Sequence, residues 1–301
     1  MENIKTFEEH SEPLVSIVIL SYNQIDFLKE AVFSCLEQDY PNKEIIISDN
    51  CSIDGSKEII KNFVKQFPAV KAIFASQNTG ITGNHNAALK ACSGEYIAWM
   101  YADDLMLPGK ITKQVERMEA NPDCKICYHN LEVFDSDSNK VLFYFNEKEK
   151  FIGTVEKLLL YGTFNGACSN MVKRDSTPKD GFNDLLPVAS DWLFWIEILE
   201  NGGSIEYIDE VLGRYRRHPG NITAYSEVIT QGEIDHLVTC QLNLKKFPQH
   251  SKFILKRYYN LLYQMRFKLD YAWVMKSSLL ISFRMKDLVK LVIYCFSGKK
   301  Y

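Results

Sequence analysis

Two adjacent carboxylates, Asp103 and Asp104, follow directly on the apolar run Tyr96-Ile-Ala-Trp-Met100. Side by side at a strand end they repel each other, so the pair implies a cation with oxygen ligands, Mn²⁺ or Mg²⁺. A metal held by so few protein ligands shares its shell with substrate phosphates. Polar residues also follow three other apolar runs: Ser21-Tyr22-Asn23-Gln24, the stretch from Asp49 to Gly55, and Ser76 to Gly80. Asp191 opens a strongly apolar helix, where its type alone reads as an N-cap. Cys124-Lys-Ile-Cys127 has metal-ligand spacing, but no second pair accompanies it, and in a strand its two thiols point to opposite faces. It is not read as a metal or redox site.

The elements that must position these residues alternate. Val15–Leu20 is a short β-branched run, consistent with a strand buried on both faces. Apolar residues at 25, 28, 32 and 36 then take helical spacing. Glu44–Ser48 is a second strand, and Ile59, Ile60, Phe63, Val64 and Phe67 form one face of a helix that Pro68 ends. Val70–Ala75 is a third strand, a helix covers about 82–91, and Tyr96–Met100 is the fourth strand. Such alternation predicts a parallel, doubly wound α/β sheet, whose ligands sit outside the carboxyl ends of the strands. Beyond Pro108 the spacing predicts a helix over 111–118, a hairpin of 125–134 with 141–145, a helix over 151–161 and a strand over 166–172. A helix over 191–199, short strands at 204–208 and 212–215, and helices from Thr230 onward complete the reading.

Composition is that of an ordinary globular chain: 301 residues, 46% hydrophobic and 24% charged. That excludes a disordered, collagen-like or coiled-coil protein. Eight cysteines are too sparse for a disulfide framework. The first dozen residues are polar and acidic, without the apolar region of a secretory signal, so the expected compartment is the cytoplasm. The net charge of −3 hides an asymmetry: residues 245–301 hold 13 Lys and Arg against two acids, so this stretch carries +11. A basic, partly apolar tail on an acidic body suits amphipathic helices on an anionic membrane, or a helical cap on the catalytic domain or a second subunit. Its most apolar stretch, 278–296, is broken by Arg284, Lys286, Asp287 and Lys290, which rules out a spanning helix. No motif supports nucleic-acid binding.

The ordered set of motifs resembles a family 2 glycosyltransferase with the GT-A fold. The resemblance runs through Val15 to Asn23, Glu44 to Ser56, Asn78 to Asn86, Gly94 to Ile97 leading into Ala102-Asp-Asp104, then Ser190-Asp-Trp192 and Tyr215-Arg-Arg-His218. It implies a GT-A (Rossmann-like), mostly parallel sheet flanked by helices, with a C-terminal helical extension. Residues 1–230 would be the catalytic domain, its donor half about 13–108 and its acceptor half about 109–222; 231–301 would be a basic amphipathic extension.

The resemblance also implies roles. Ser21 and Tyr22 would flank base and ribose, Asp49 or Asn50 would bond the uracil edge, and His85 would lie beside the diphosphate with a pH-dependent charge. Asp104 would be the principal metal ligand, Asp103 would touch ribose or metal, and Arg216 and His218 would approach the diphosphate, His218 also the metal. Asp191 would be the general base of an inverting transfer, with Trp192 stacked on a sugar or simply in the core. The partners implied are a UDP-sugar donor and a glycan or lipid-linked glycan acceptor, used at the inner face of the cytoplasmic membrane, with peripheral contact through 245–301. A sugar-nucleotide pyrophosphorylase is disfavoured because no Gly-rich phosphate loop follows the first strand. A non-catalytic binding module is disfavoured because Asp104 and Asp191 are both present.

Overall fold

The computed structural model describes residues 12–147, 150–163, 165–221 and 226–269, together with Val274, Lys290 and Cys295. The first half is four strand–helix units: β1 (Val15–Ser21), α1 (Ile25–Leu36), β2 (Lys43–Asp49), α2 (Ser56–Gln66), β3 (Val70–Phe74), α3 (Gly80–Ala91) and β4 (Tyr96–Tyr101). β1 to β4 are parallel, in the order β3-β2-β1-β4. All seven residues of β1 are buried, because helices cover the sheet on both faces. Ile17, Ile19, Ile45 and Ile47 point to the side closed by α1 and α2, whereas Val18, Leu20, Ile46 and Trp99 point to the side where α3 lies.

The second half extends the same sheet with mixed strand directions. It comprises β5 (Leu105–Met106), α4 (Lys110–Glu119), β6 (Cys124–Asp135), β7 (Val141–Tyr144), α5 (Val155–Tyr161), β8 (Met171–Lys173), α6 (Asp191–Ile198) and β9 (Ser204–Arg217). The order beyond β4 is β8-β6-β9-β5, with β7 on the outer part of β6. β8 is antiparallel to both β4 and β6, and β9 is parallel to β6. The sheet is thus parallel through β1 to β4 and again between β6 and β9, with antiparallel pairs at β8, β7 and β5.

Three local expectations change. The segment 166–172 is a strand only from Met171; before it, Ser169 Oγ donates to Gly166 O at 2.8 Å and closes a 3₁₀ turn at Ala167–Ser169. The two strands expected at 204–208 and 212–215 are one, β9, in which Asp209 and Glu210 form a bulge opposite the His129–Asn130 step of β6. The two-residue β5 was not foreseen; it pairs Leu105 with Arg214 and so fixes the aspartate turn to β9.

Two further helices follow, α7 (Gln231–Lys246) and α8 (Ser251–Gln264). α7 starts with a capping box, in which Thr230 and Glu233 each accept the other's backbone N–H. Cys240, Phe247, Ile254, Leu261 and Met265 join the core formed by Trp99, Tyr128, Trp192 and Trp195. This part of the extension thus packs on the catalytic sheet. Most of 270–301, and the membrane contact expected of it, lies outside the described residues. Among the described residues, no helix is long and apolar enough to cross a membrane. Cys124 and Cys127 are free thiols buried in β6.

Candidate active site

The carboxyl ends of β1 and β2 bring Ser21 and Asp49 into register as cross-strand neighbours. Both are buried, and Ser21 Oγ and Asp49 Oδ1 have no hydrogen-bond partner. The other Asp49 oxygen accepts the Ser52 amide at 3.0 Å, which aims the carboxylate. Tyr22 follows, 43% exposed. The two loops here are stitched together: Asn23 Oδ1 accepts from Ile53 N, and Asp54 accepts the amides of Ile25 and Ser56 at the starts of α1 and α2. Burial alone would raise the Asp54 carboxyl, but those amide bonds outweigh it and lower its pKa.

Asn50 departs from its expected role. Its amide nitrogen donates to Asn78 Oδ1 and Gly80 O, and its oxygen accepts from the Thr79 amide and hydroxyl, all within 2.9–3.0 Å. With every bond engaged in the loop before α3, Asn50 has none left for a nucleobase, and the unpartnered oxygen is on Asp49.

At the end of β4 the two aspartates face different ways. Asp104 is 2% exposed, and its Oδ1 accepts the Arg216 amide at 3.0 Å. Burial, then the Asp103 charge, raise its carboxyl well above the usual range. Asp103 is more open, and its Oδ2 lies 3.1 Å from His218 Nε2 and 3.3 Å from Asn221 Nδ2. Asp104 is thus tied into the protein by the Arg216 backbone, whereas Asp103 is the more open carboxylate and pairs with His218. Gly220 N donates to His218 Nδ1 at 3.2 Å, leaving Nε2 to face the carboxylate, and the ring packs 4.9 Å from Phe27. Among the described residues, no three His, Cys, Asp or Glu side chains form a metal cage. The open Asp103 carboxylate fits a divalent cation that completes its shell with phosphate oxygens and water.

Arg216 is likewise an organiser of this turn. Its guanidinium lies between the rings of Phe27 and Phe134, at 4.7 and 4.8 Å, and donates to Asp103 O and to Glu30. These contacts hold it in the protein and take the place of the expected approach to a diphosphate.

Asp191 is the first residue of α6, after Ser190, and its Oδ1 accepts the Trp192 amide at 2.9 Å. Burial pushes its pKa up to about 6. No charged partner accounts for the shift, and the value suits a group that must take a proton near neutral pH. Trp192 is 1% exposed and donates its indole N–H to Leu158 O at 3.0 Å, so it belongs to the core and presents no ring to a sugar.

His85 is also a core residue. Its Nδ1 is 2.9 Å from Ile81 O, so it carries the proton, and Nε2 accepts from the Tyr101 hydroxyl at 3.1 Å. The ring packs against Phe182 at 4.5 Å. Burial lowers its pKa to about 4, which leaves it neutral at pH 7 without the charge expected beside a diphosphate. Sequence reasoning missed Glu30, Phe27 and Asn221, since nothing in an exposed helical acid, an aromatic or a loop amide marks a partner more than a hundred residues away.

The sequence pattern of glycosyl transferase family 2 matches residues 16–177. Escherichia coli WfaP, named as a UDP-Glc:α-D-GlcNAc-diphosphoundecaprenol β-1,3-glucosyltransferase, is 33% identical over 230 residues, 73% of this chain and 85% of its own. Bacillus subtilis TuaG, named for teichuronic acid biosynthesis, is 28% identical over 68% of this chain and 79% of its own. Among solved structures, Staphylococcus aureus TarS residues 1–349 superpose with a TM-score of 0.66 at 16% identity, over 94% of this chain and 87% of that one. A Pyrobaculum calidifontis mannosyltransferase, solved with GDP-mannose and Mn²⁺, gives 0.56 at 16% identity over 95% and 81%. These structural likenesses establish the GT-A fold, and with the sequence match they show that the chain belongs to glycosyl transferase family 2.

Proposed function

We propose that this family 2 glycosyltransferase transfers a sugar, with inversion, from a UDP-sugar to a hydroxyl of a lipid-linked glycan during surface polysaccharide synthesis. The observation that carries the reading is the pair of buried, unpartnered oxygens, Ser21 Oγ and Asp49 Oδ1, side by side at the sheet's carboxyl end. Buried polar atoms normally have partners. A carboxylate oxygen beside a hydroxyl suits a uracil edge, which offers one N–H donor between two carbonyls. The relatives support the same class: WfaP is named for UDP-glucose and a diphosphoundecaprenol-linked acceptor, and TarS has been solved with UDP-GlcNAc. A lipid-linked acceptor places the reaction at the inner face of the cytoplasmic membrane.

In this reading Asp191 takes the proton of the acceptor hydroxyl through Oδ2, since Oδ1 is occupied by the Trp192 amide. The acceptor oxygen forms its bond to the anomeric carbon as the bond to the nucleoside diphosphate breaks on the opposite face. Asp103, joined by His218 once its Nε2 proton is lost, would hold a Mn²⁺ or Mg²⁺, which when bound offsets the charge gathering on the departing diphosphate. Arg216 and Asp104 keep the Asp103 turn in place.

Calorimetric titration with UDP, GDP and CDP, with and without Mn²⁺, tests the donor site. Metal-dependent binding selective for UDP, followed by UDP release from a UDP-sugar in the presence of a GlcNAc-diphospholipid, is the expected result. Failure to bind any of the three nucleotides would overturn it.

A further inference from the structure

Asp191 stands at the end of a segment, residues 182–190, that contains neither helix nor strand. A general base must come within about 3 Å of the proton it removes. An irregular segment reaches such precision only if other elements hold its backbone. Three side chains, all from elements distant in sequence, do so here.

Two come from α3. Thr82, 3% exposed, donates through Oγ1 to Leu186 O at 2.6 Å and shares a second bond with Ser190 Oγ at 3.0 Å. One turn along, Asn86 grips Phe182 by both backbone groups: Nδ2 donates to Phe182 O at 2.9 Å, and Oδ1 accepts from Phe182 N at 2.7 Å. The third comes from α7. Asp235 is fully buried, and its Oδ2 accepts the amides of Val188 and Ala189 at 2.8 and 2.9 Å. Gln231 donates to its other oxygen at 2.8 Å. The segment is thus pinned at 182, 186, 188, 189 and 190, immediately before the base.

We propose that Thr82, Asn86 and Asp235 are positioning residues for the transfer, which together set where the Asp191 carboxylate stands relative to the acceptor hydroxyl. The proposal rests on the reading of Asp191 as the base. It gives the motif at Asn78–Asn86 a second function, since Thr82 and Asn86 face the base segment and not a diphosphate. It also makes the helical extension a part of the catalytic apparatus. If packing were all that mattered, an apolar side chain would fill the place of Asp235 without burying a carboxyl.

The test compares Thr82→Val, Thr82→Ser, Asp235→Asn and Asp191→Asn in the full chain. UDP affinity, thermal melting and steady-state turnover are measured, the last with whichever UDP-sugar and acceptor the wild type turns over. Valine matches threonine in shape and removes both Thr82 bonds. A displacement of the base by about 1 Å lowers turnover about a hundredfold, so Thr82→Val is expected to lose kcat on that scale. UDP affinity and donor KM should stay within about twofold, because Ser21 and Asp49 lie on other strands, and Thr82→Ser should restore kcat. Asp235→Asn should show the same split between kcat and KM. Wild-type kcat in Thr82→Val, or a loss of UDP affinity in step with kcat, would overturn the positioning role while leaving an inactive Asp191→Asn to support the base. Turnover by Asp191→Asn close to that of the wild type would instead remove the base reading on which the proposal stands.

Discussion

Replacing Asp191 by Asn changes one oxygen into an amide nitrogen and keeps the Oδ1 acceptor for the Trp192 amide, 2.9 Å away. The geometry of α6 should therefore survive. The charge does not. Burial moves this carboxyl from 3.8 to about 6, and holding its ionised form in that place costs the fold about 3 kcal/mol at neutral pH. The side chain keeps some access to water, which screens part of this, so the variant should be more stable than the wild type by about 1 to 2 kcal/mol. For a chain of this size that is a rise in melting temperature of about 2 to 6 °C. The sign follows from linkage: the folded pKa lies above the unfolded one, so the native state favours the protonated form. The contribution of Asp191 to stability is complete below 3.8 and declines as the pH rises through about 6. The stability gap between variant and wild type should accordingly widen over that interval and stay constant above it. Turnover moves the other way. Loss of a general base lowers it by about 10² to 10⁴-fold, and the fall in wild-type kcat below about pH 6 should be missing from the residual activity. Thermal melts across pH, with UDP release as the activity assay, check both halves. A variant that melts below the wild type at pH 7.5, or turns over within about tenfold of it, would refute the assignment of an ionised, buried base.

Ser21 and Asn50 should separate a binding role from a structural one. Ser21→Ala removes a hydroxyl that has no partner in the free protein, so its melting temperature should equal or exceed that of the wild type while UDP affinity, read by calorimetry, falls about five- to tenfold. Asn50→Ala breaks four internal bonds and should lower stability by about 2 to 4 kcal/mol in denaturant unfolding. Glu44 carries a pH dependence of the opposite sign to Asp191: burial would raise its carboxyl, but bonds from Lys71, Ser16 and Ser93 outweigh it and bring the pKa down to about 2. Its stabilisation is present above 4.5 and lost as the pH falls towards 2, so Glu44→Gln should melt below the wild type at pH 7 and approach it in acid.

The first half of the chain was legible because its signals are local. A β-branched run buried on both faces and apolar residues at helical spacing define each strand and helix without reference to the rest of the chain, and all four strands and three helices lie where the spacing puts them. The second half depends on distant partners. Asp209-Glu210 looks like a turn, and only the register with His129 and Asn130 makes it a bulge inside β9. The residue types of the site were equally legible, and their roles were not. His85 and Arg216 both read as cations for a diphosphate, yet one is neutralised by burial against Phe182 and the other is engaged by Glu30 and two aromatic rings. Which of two neighbouring polar residues faces a ligand is decided by groups that close over the other, and those come from elsewhere in the sequence.

Unpartnered atoms alone do not mark a site. Ser56 Oγ, Trp99 Nε1 and His129 Nε2 are also buried without partners, each a cost of about 1 to 3 kcal/mol that the fold tolerates. What sets Ser21 and Asp49 apart is convergence: two such atoms occupy one register position of adjacent parallel strands, at the end of the sheet where the Asp103 turn also lies. The residues flanking them have the opposite character. Asn50, Asp54 and Arg216 each make several internal hydrogen bonds. Polar side chains with full bonding hold the loops rigid, so that the few left open meet a ligand already in place and lose little further freedom on binding. The same division appears at the base, where Asp191 has one amide donor and a raised pKa while Thr82, Asn86 and Asp235 hold the backbone before it. A substitution among the holders should therefore act on rate or stability, and one among the open residues on affinity or chemistry.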